Sequence, residues 1–597
     1  KNSKRKPRKI NEGNGIKIMQ SNFKLNHSAS HLLASAIIKL YPNVKLAIGP
    51  AIEEGFYYDF DFETPILESD LPKIEKLMHK IAEQGYEVKK IENYHYDFSN
   101  QPYKKELNEQ FKKENKNITF YGFVHPKTNE NIFTDLCSGN HINNTKEIKY
   151  FKLLSTAGAY WRGDSKNKML TRIYGTCWET QKELDEYLQI LQERKERDHR
   201  KIGKDLNIFT FNKLCGQGFP IWLEDGMKIH NAIKNYVLKL DKKFGFTEVL
   251  TPHFGEKKLY EISGHLAHYQ DTMFNPIKME NEFLIARPMT CPHHIMLYNS
   301  TRHSYRDFPI RYSEQSRLYR YEKSGALSGL ERVRSMDLTE GHVFVRPDQI
   351  KDEFKHLYKM ITTALKDFNI EIDHISLSLR DPQDTEKFFK DDSMWNKAEK
   401  DLRDVLNELK IEYKEFIGEA AFYGPKVDLQ VKTALNKIIT MSTLQLDFLL
   451  PHRFEMKYVD DNEQQQTPVL IHRGLIGTYE RFIATLLEQT KGVLPYWLSP
   501  RQVTIIPISE EQNEFCQDLY NEFIDLDINV NVDLRNERIS KKIREAQLLK
   551  TKFLVMIGKN EIDNNILAIR KYGEDKTENI KKEKFIETLN ELKKSLK

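Results

Sequence analysis

The chain has 597 residues and a mass of 70.5 kDa, with 39% hydrophobic and 11% aromatic residues. At roughly 100–200 residues per domain, this length predicts three to five domains. A net charge of +5 permits a polyanionic partner but does not require one. Because no apolar run of about 18 residues occurs and the five cysteines are scattered, we expect neither a membrane span nor a secreted disulfide framework. The expectation is a cytoplasmic protein with reduced thiols.

Residues 1–19 form a basic N-terminal segment that begins KNSKRKPRKINEGNG. It has no initiator methionine, and a trimmed chain, a disordered tail and a removed leader remain three open explanations. The apolar core of a secretory signal is missing from it. We expect a solvated basic tail.

Residues 20–178 predict a first domain that combines a helix with strands. The stretch HSASHLLASAIIKLY has helical periodicity, and the apolar residues near one face are Leu32, Leu33, Ala36, Ile37 and Leu40. The later stretch GFYYDFDF is strand-like. This pattern predicts a block that contains both helix and strand.

Three further segments complete the predicted organisation. Residues 179–205 are highly charged, with apolar residues at helical spacing at Leu184, Tyr187, Leu188 and Leu191, which is typical of an exposed helix that links two domains. Residues 206–498 mix strands and helices. Residues 499–597 alternate short apolar runs, such as QVTIIPI and KFLVMIG, with helical segments, such as KKIREAQLLK. That alternation predicts a small βαβ domain with a mainly parallel sheet.

Two histidines and a Cys–His pair form the first candidate site. His27 and His31 are four residues apart in the predicted helix, so their imidazoles share a face. In TDLCSGNH, Cys137 and His141 are also four apart, with Asp135 just before them. These donors suit a zinc site, a metal-free cleft in which imidazoles position water and shuttle protons, or unrelated packing. The residues alone leave all three interpretations open.

A second candidate set is spread along the central block. Cys291 lies in RPMTCPHH, His342 in LTEGHVFV and His472 in PVLIHRG. If they meet, one thiolate and two imidazoles make a three-ligand zinc site whose open fourth position can bind a substrate. Periodicity cannot show that they meet, and on the residues alone unrelated packing is the favoured interpretation.

The motifs jointly resemble those of bacterial-type threonyl-tRNA synthetases over about residues 20–597. HSASHLL, AIGPAIEEGFYYDFD, DLCSGNH and AGAYWRGDS resemble the family's editing domain. CPHHIMLYN, SYRDFPIR, RYEKSGALSGLERVR, AFYGPKVDLQ, LQLDFLLP and IHRGLIGTYERF resemble its catalytic domain, and VDLRNERISKKIREAQ resembles its anticodon-binding domain. The resemblance implies an α+β editing domain (20–178), a linker helix (179–205), a class II catalytic domain on an antiparallel sheet (206–498) and an α/β anticodon-binding domain (499–597).

The resemblance implies a threonine–tRNA ligase that forms threonyl-adenylate from L-threonine and ATP and then charges tRNA(Thr). FGFTEVLTPHF, with Pro252, resembles the first class-defining motif and implies a homodimer. Arg320 and Glu322 match the second motif, and Arg481 ends the third. A fixed arginine stabilises charge on the reacting phosphoryl oxygens. Arg320 is therefore assigned to the α-phosphate, Arg332 and Arg481 to the outer phosphates or the ATP body, Glu322 to the adenine amino group, and Mg²⁺ to the triphosphate.

The resemblance also implies one Zn²⁺ per subunit, held by Cys291, His342 and His472. A plain pocket separates threonine from valine by only about 100-fold, whereas zinc can accept both the amino group and the hydroxyl of threonine. Serine has a hydroxyl too, so a second, hydrolytic site must clear seryl-tRNA(Thr). The family's editing site is generally interpreted as metal-free, and its matching residues here are His27, His31, Asp135, Cys137 and His141.

Two further groups match the family residue by residue. The threonine pocket matches Glu340, Tyr423, Lys426 and Gln445. The anticodon-reading positions, where single-stranded bases are bound by hydrogen bonds and stacking, match Asn536, Lys550, Glu561 and Arg570. Glu340 stands where aspartate is usual and keeps the carboxylate on a side chain one methylene longer, and Lys550 stands where arginine is common. Met336 replaces an aromatic residue of some members, although a thioether can also cover a ring face.

Two alternatives are weighed against an active, editing threonyl enzyme. A class II enzyme for serine or proline disagrees with the Cys291, His342 and His472 set, because proline has no hydroxyl for zinc to test. A non-catalytic RNA-binding relative usually loses the phosphate-binding arginines, all of which remain here.

Overall fold

The computed structural model describes residues 22–92, 94–164 and 166–596, so the predicted basic tail 1–19 lies outside the described residues. The chain divides into two compact units, of which one comprises residues 17–193 and the other includes residues 194–597. The segment 179–205 forms two helices, Gln181–Arg197 and His199–Asp205, rather than the one predicted. The break lies at Asp198, whose side chain accepts from the backbone N–H of Arg200 and caps the second helix. Within the described ranges, no helix is long and apolar enough to cross a membrane.

In the described part of residues 17–193, four α-helices combine with two small sheets. Its helices are α1 (Phe23–Leu40), α2 (Leu71–Glu83), α3 (Pro102–Lys113) and α4 (Gln181–Arg197), whose last residues pass into the next unit. Its strands are β1 (Lys45–Leu46), β2 (Ala51–Ile52), β3 (Gly55–Asp61), β4 (Glu87–Lys90), β5 (Phe120–Val124), β6 (Asn131–Leu136), β7 (Tyr150–Tyr160) and β8 (Met169–Trp178). The strand orders are β1-β3-β8-β7, with β2 on β3, and β4-β5-β6.

Helix α1 forms the centre of this unit's core. It begins at Asn22, whose side chain accepts from the backbone N–H of Leu25 at 3.2 Å. Four of the five residues of the predicted apolar face are fully buried, namely Leu32, Leu33, Ala36 and Ile37. Leu184 and Tyr187 of α4 are also buried, against Trp178, so the apolar residues at helical spacing in the predicted linker helix are partly covered.

The central part of the second unit is built on one large sheet. Its helices are α5 (His199–Asp205), α6 (Glu224–Lys243), α7 (Lys257–Ser263), α8 (His265–Tyr269), α9 (Cys291–Asn299), α10 (Ile350–Asp367), α11 (Asp392–Glu408), α12 (Leu449–Arg453) and α13 (Tyr479–Thr490). Its strands are β9 (Phe209–Phe211), β10 (Pro220–Trp222), β11 (Thr247–Glu248), β12 (Phe254–Glu256), β13 (Ile277–Lys278), β14 (Phe283–Ala286), β15 (Ile310–Tyr319), β16 (Ser335–Val345), β17 (Ile372–Leu379), β18 (Tyr413–Ile417), β19 (Lys426–Lys432), β20 (Ile438–Asp447), β21 (Tyr458–Val459), β22 (Gln465–Gln466) and β23 (Val469–Thr478). The eight-stranded sheet has the order β11-β15-β16-β23-β20-β19-β17-β18 and is antiparallel except for the pairs β11–β15 and β17–β18, which confirms the predicted antiparallel architecture.

The two faces of this sheet differ because successive residues of a strand point to opposite sides. On one face, Val343 and Val345 of β16 join apolar side chains of α6 and α10 in one buried cluster. Arg473 of β23 lies on that face too, where its guanidinium is 2.6 Å from the buried carboxylate of Asp241. The alternate residues of the same strands, among them His342 and His472, therefore point to the other face, away from α6 and α10.

The C-terminal part of the second unit is a smaller α/β fold. It contains α14 (Asn513–Asp525), α15 (Ile539–Leu548), α16 (Lys559–Asp563) and α17 (Lys582–Lys594), with β24 (Val503–Pro507), β25 (Val530–Val532), β26 (Phe553–Ile557), β27 (Ile566–Lys571) and β28 (Thr577–Lys581). Strand β24 pairs in parallel with β25 and β26, but β27 pairs antiparallel with β26 and β28. The prediction of a mainly parallel sheet is wrong for the last two pairings, because short connections join antiparallel strands.

Candidate active site

Neighbouring strands of the eight-stranded sheet bring residues from distant stretches of the chain into one row. His342 of β16 lies opposite His472 of β23, His472 lies opposite Gln445 of β20, and Gln445 lies opposite Lys426 of β19. Directly opposed residues on one face of such strands have Cβ atoms about 4.5–5.5 Å apart. Two of the three candidate metal ligands and two candidate threonine-binding residues therefore share one face and one line across the sheet.

Cys291, the first residue of α9, completes a group with the two histidines, here called the metal group. Its Sγ and one ring nitrogen each of His342 and His472 all lie within 4.8 Å of one another. His342 Nε2 and His472 Nδ1 are 3.1 Å apart, near the roughly 3.3 Å expected between two nitrogens bound at about 2.0–2.1 Å to a tetrahedral zinc. All three residues are at most 5% exposed. The three distant stretches do meet, and their donors can hold a metal ion.

Buried polar partners hold both histidines of the metal group. His472 Nε2 lies 2.8 Å from Asp447 Oδ2, to which it donates, so that the lone pair of Nδ1 faces His342. His342 Nδ1 lies 2.8 Å from His294 Nδ1. Burial lowers the pKa of His342 and raises the pKa of the Cys291 thiol. A bound cation reverses the second effect, because it stabilises the thiolate.

A second pocket on the same face, here called the arginine pocket, collects the candidate ATP-binding residues. Arg320, Glu322, Arg332 and Arg481 line it together with Met336. Arg332 Nε lies 3.4 Å from Glu322 Oε2. Burial lowers the pKa of Arg481, and the positive charges of Arg320 and Arg332 act in the same direction. Three arginines against the two glutamates of the lining, Glu322 and Glu331, leave a net positive charge, which favours a polyanionic ligand such as a triphosphate.

Glu480, next to Arg481 in α13, gives a pH-dependent prediction. It is fully buried and accepts from the backbone N–H of Asp337 at 3.0 Å; burial, helped by the charge of Asp337, raises its pKa to about 8. Between about pH 4.5 and pH 8 the folded chain keeps a proton that the unfolded chain releases, so stability falls as the pH rises through this window. We expect Glu480→Gln to flatten that slope in chemical unfolding measured across this range. An unchanged slope would contradict the raised pKa.

The candidate threonine-binding residues lie around the metal group. The Tyr423 hydroxyl donates to Gln445 Oε1 at 2.5 Å, and its ring stacks on that of His472 with centroids 4.8 Å apart. Lys426 Nζ donates to Asp428 Oδ2 at 2.5 Å. Each of these side chains is thus oriented by a named neighbour, which is the arrangement that a selective pocket requires.

Glu340, which departs from the family's aspartate, also points at the metal group. Its Oε1 lies 3.4 Å from His342 Nε2. Its Oε2 is buried and has no hydrogen-bond partner among the residues that the structure describes. Directly opposite on β23 lies Gly474, where a Cβ would approach Thr443 to 3.0 Å. The longer side chain therefore extends beside a residue without a side chain and presents an unused acceptor next to the metal group.

In the unit of residues 17–193, the four candidate donors converge into what is here called the editing cluster. Cys137 Sγ lies 3.4 Å from His27 Nε2 and 3.1 Å from His141 Nε2. The donor atoms of these three residues and of His31 all lie within 4.8 Å of one another. The His27 and His141 rings stack with centroids 4.3 Å apart. This geometry also suits a metal ion, so the metal-free interpretation of the editing cluster stays a prediction.

Burial keeps the editing cluster uncharged at neutral pH. It lowers the pKa of His27 and His31, lowers that of His141 to about 3, and raises that of the Cys137 thiol to about 11. A thiol with a raised pKa is a poor nucleophile, whereas neutral imidazoles can both accept and donate protons. The cluster therefore suits proton transfer around a positioned water better than attack by Cys137.

Asp135 lies beside the editing cluster and is tied to two residues that the sequence analysis missed. Its Oδ2 accepts from the Tyr58 hydroxyl at 2.5 Å, and its Oδ1 pairs with Lys104 Nζ at 2.5 Å. His31 Nδ1 is 3.9 Å from Asp135 Oδ2. Lys104 is only 2% exposed. Its signal in the sequence is its spacing from Asn108, since residues four apart share the buried face of α3.

The four candidate anticodon residues lie on separate elements of the C-terminal part. Asn536 is exposed in the loop after β25, and Arg570 lies on β27. Lys550 Nζ donates to the Tyr572 hydroxyl at 3.0 Å. Glu561 Oε2 accepts from the backbone N–H of Gly558 at 2.9 Å, which caps α16. Glu561 thus has a structural role as well as the predicted one, and the RNA contacts of all four stay predictions.

Sequence reasoning also missed the partners behind the metal group. Asp447, His294 and Glu314 are buried in contact with its histidines or with each other. Two signals existed: His294 follows Cys291 by three residues on a helix, and Asp447 interrupts the apolar run LQLDFLL. Neither signal shows which residue the side chain contacts, because the contacted residues lie on strands that are distant in the sequence.

Three segments of the chain match described domain families. Residues 274–490 match the tRNA synthetase class II core domain (G, H, P, S and T), and residues 502–592 match an anticodon binding domain. Residues 123–174 match the threonyl and alanyl tRNA synthetase second additional domain. With the antiparallel sheet and the arginine pocket, these matches define a class II aminoacyl-tRNA synthetase.

Similar proteins define the family within this class. The threonine–tRNA ligase of Mycoplasmopsis pulmonis is 58% identical over 565 residues, which cover 95% of this chain and 96% of that protein. The threonine–tRNA ligase of Staphylococcus aureus strain bovine RF122 is 49% identical, covering 94% of this chain and 87% of its own. The crystal structure of the RNA binding domain of threonyl-tRNA synthetase from Cryptosporidium parvum Iowa II matches 66% of this chain and 98% of its own, with a TM-score of 0.64 and 32% identity. The chain belongs to the threonine–tRNA ligase family, which confirms the resemblance seen in the sequence.

Proposed function

We propose that the protein forms threonyl-adenylate from L-threonine and ATP, transfers threonine to tRNA(Thr), and hydrolyses seryl-tRNA(Thr) made in error. One observation carries the proposal: the strands β16 and β23, which supply the two histidines of the metal group, also line the arginine pocket, through Met336, Leu338 and Thr478. Adenylate formation needs an amino acid held next to the α-phosphate of ATP, and two sites lined by the same strands support this arrangement.

The metal group is proposed to hold one Zn²⁺ per subunit. One thiolate and two imidazoles suit zinc, and three protein ligands leave a fourth position open. Each imidazole has a buried hydrogen-bonding partner, as metal-ligating histidines usually do. The ion, when bound, would accept the amino and hydroxyl groups of threonine as ligands.

The residues around the metal group favour threonine over valine. The unpaired, buried Oε2 of Glu340 offers an acceptor to a substrate hydroxyl, and valine would leave it unsatisfied. A site built to bind a hydroxyl can reject an analogue without one by about 10⁴–10⁵-fold, whereas an apolar pocket separates isosteres by only about 100-fold. Serine also carries a hydroxyl, so it passes this test. The editing cluster is proposed to remove it, with neutral imidazoles positioning water at the ester.

The arginine pocket is proposed to bind ATP with Mg²⁺. Arg320 is assigned to the α-phosphate, Arg332 and Arg481 to the outer phosphates or the ATP body, and Glu322 to the adenine amino group. Fixed positive charges align the attack of the threonine carboxylate and stabilise the charge that develops on the phosphoryl oxygens. Met336 lines the same pocket and can cover the adenine ring.

Assembly, location and domain limits belong to the same proposal. Leu250, within FGFTEVLTPHF, is 83% exposed and Leu214 is 98% exposed. Because Leu250 lies in the segment that resembles the first class-defining motif, a homodimer is proposed from that resemblance; light scattering should then give twice 70.5 kDa. A cytoplasmic location, the domain limits 20–178, 206–498 and 499–597, and the anticodon contacts are proposed from the family resemblance.

The proposed function is tested by ATP–pyrophosphate exchange with each of the twenty amino acids, combined with elemental analysis of the purified protein. We expect exchange with threonine, weaker exchange with serine, none with valine, and about one zinc per chain. Exchange with serine or proline alone would indicate a different class II enzyme. Binding of tRNA without any exchange would indicate a non-catalytic RNA-binding protein.

A substitution at Asp447 tests the support of His472. Asp447 Oδ1 accepts from the backbone N–H groups of Leu449 and Leu450, both at 2.9 Å, so an asparagine keeps its carbonyl oxygen there and turns its NH₂ toward His472. His472 then accepts at Nε2 and carries its proton on Nδ1, toward the metal group. We expect Asp447→Asn to raise the Kd for zinc by about 10- to 100-fold in competition with a chromophoric chelator. A Kd for Asp447→Asn equal to that of the control Asp404→Asn, which changes a partly exposed ion pair with Lys351, would contradict this role.

A further inference from the structure

A chain of buried hydrogen bonds leads away from the metal group, and the proposed activity does not explain it. His342 Nδ1 lies 2.8 Å from His294 Nδ1, and His294 Nε2 lies 3.1 Å from Glu314 Oε2. Glu314 Oε1 accepts from Arg287 at 2.7 Å, and Glu314 Oε2 accepts from the Thr251 hydroxyl at 2.7 Å. All five side chains lie in the interior, each at most 8% exposed.

Arg287 and Glu314, which end this series of hydrogen bonds, determine the donor and the acceptor of every hydrogen bond in the series. Arg287 can only donate, and the Glu314 carboxylate that it holds can only accept. A neutral His294 therefore donates from Nε2 to Glu314, which leaves its Nδ1 as an acceptor. His342 must then donate from Nδ1 to His294, so that His342 Nε2 carries no proton. That nitrogen is the one that faces His472 Nδ1 at 3.1 Å.

We propose that His294 and Glu314 are positioning residues that select the tautomer of His342 able to bind the metal ion. A neutral imidazole carries its proton on either nitrogen, and only the unprotonated nitrogen can be a ligand. The inference rests on the metal site proposed above and adds the means by which the fold keeps the correct nitrogen free. Each histidine of the metal group thus depends on a carboxylate: His472 on Asp447 directly, and His342 on Glu314 through His294.

The position of His294 supports this assignment. It follows Cys291 by three residues in α9, so both side chains project from one face of that helix. Glu314 lies on β15 directly opposite Glu340 of β16. The last carboxylate of the hydrogen-bond series therefore lies next to the strand that carries His342. One helix therefore supplies both the thiol of the metal group and the imidazole that orients its neighbour.

Two glutamine substitutions at the ends of one hydrogen bond test the proposal, with opposite expected results. In Glu314→Gln, the guanidinium of Arg287 has only donors and therefore pairs with the amide oxygen of the glutamine. The NH₂ group of the glutamine then faces His294 Nε2. The chain reverses, and the proton moves to His342 Nε2. In His294→Gln, the amide oxygen can accept from His342 while the NH₂ donates to Glu314, so the direction is kept. His294→Leu removes the acceptor without adding a donor.

The measured quantity is the Kd for zinc of the metal-free proteins in chelator competition, with circular dichroism of each metal-free protein as a check of folding. We expect a rise of about 10- to 100-fold for Glu314→Gln and His294→Leu, and a change within about threefold for His294→Gln. If Glu314→Gln does not fold, because it leaves the charge of Arg287 buried, the two His294 variants decide.

Equal Kd values for His294→Gln and His294→Leu would overturn the proposal, since packing alone would then explain His294. A wild-type protein that binds zinc no better than Cys291→Ala would overturn the proposed metal site itself, and the inference with it. The two failures are therefore distinguishable.

Discussion

Replacing Arg320 by alanine is expected to lower threonine-dependent ATP–pyrophosphate exchange by about 100- to 1000-fold. Arg320 lines the arginine pocket beside Arg332 and Arg481, where its charge faces the phosphoryl oxygens that become more negative in the transition state. An interaction that is stronger in the transition state than in the ground state acts on kcat rather than on KM. Exchange kinetics with ATP varied at saturating threonine should therefore show a large fall in kcat and a smaller change in KM.

Companion variants separate charge from geometry in this test. Arg320→Lys keeps a positive charge but loses the planar fork of donors, so we expect an intermediate rate. Arg403→Ala removes an arginine whose partner is Glu415, in an ion pair on the surface, and we expect a rate near that of the wild type, because such pairs contribute little. A kcat for Arg320→Ala within about threefold of the wild type would show that the phosphate assignment is wrong.

The His27→Ala variant is expected to accumulate seryl-tRNA(Thr) while it charges threonine at the normal rate. His27 Nε2 is 3.4 Å from Cys137 Sγ, and burial lowers the pKa of His27, so its imidazole is neutral and able to transfer protons at pH 7. Loss of a general acid–base group costs about 10²–10⁴-fold in rate. The measurement is the hydrolysis of isolated seryl-tRNA(Thr) under single-turnover conditions.

The separation of the two sites provides the controls for this variant. His27 lies in the unit of residues 17–193, and the metal group lies in the unit that includes residues 194–597, so threonine exchange should not change. His79→Ala removes a histidine that stacks on Phe151 outside the editing cluster, and hydrolysis should stay at the wild-type rate. Zinc content should be kept in Cys137→Ala and lost in Cys291→Ala. Hydrolysis of seryl-tRNA(Thr) by His27→Ala at the wild-type rate would contradict the role assigned to His27.

The local sequence pattern was sufficient to predict features that lie within one helix or one strand. The periodicity of HSASHLLASAIIKLY predicted a helix with a buried face, and α1 buries Leu32, Leu33, Ala36 and Ile37. The spacing of four between His27 and His31 likewise predicted a shared face, and both are in the editing cluster. Such predictions succeed because side-chain direction in a helix repeats every 3.6 residues, whatever the rest of the chain does.

Local pattern was not sufficient for features that depend on strand pairing. The C-terminal sheet was expected to be mainly parallel, but β27 and β28 pair antiparallel. The buried residues behind the metal group, such as Asp447 and Glu314, were not identified from the sequence. Pairing and register come from hydrogen bonds between distant segments, which no short stretch of sequence encodes.

The metal group depends both on residue identity, which the sequence gives directly, and on strand pairing, which only the tertiary structure shows. Residue identities and family motifs were enough to name one thiol and two imidazoles as donors and three arginines as anion ligands. The residues alone favoured unrelated packing of the metal group, since His342 and His472 are 130 positions apart. The pairing of β16 with β23 puts these two side chains opposite each other, and buried partners determine which ring nitrogen is free. Donor chemistry is a property of single residues, whereas convergence, burial and tautomer arise when the chain has folded around them.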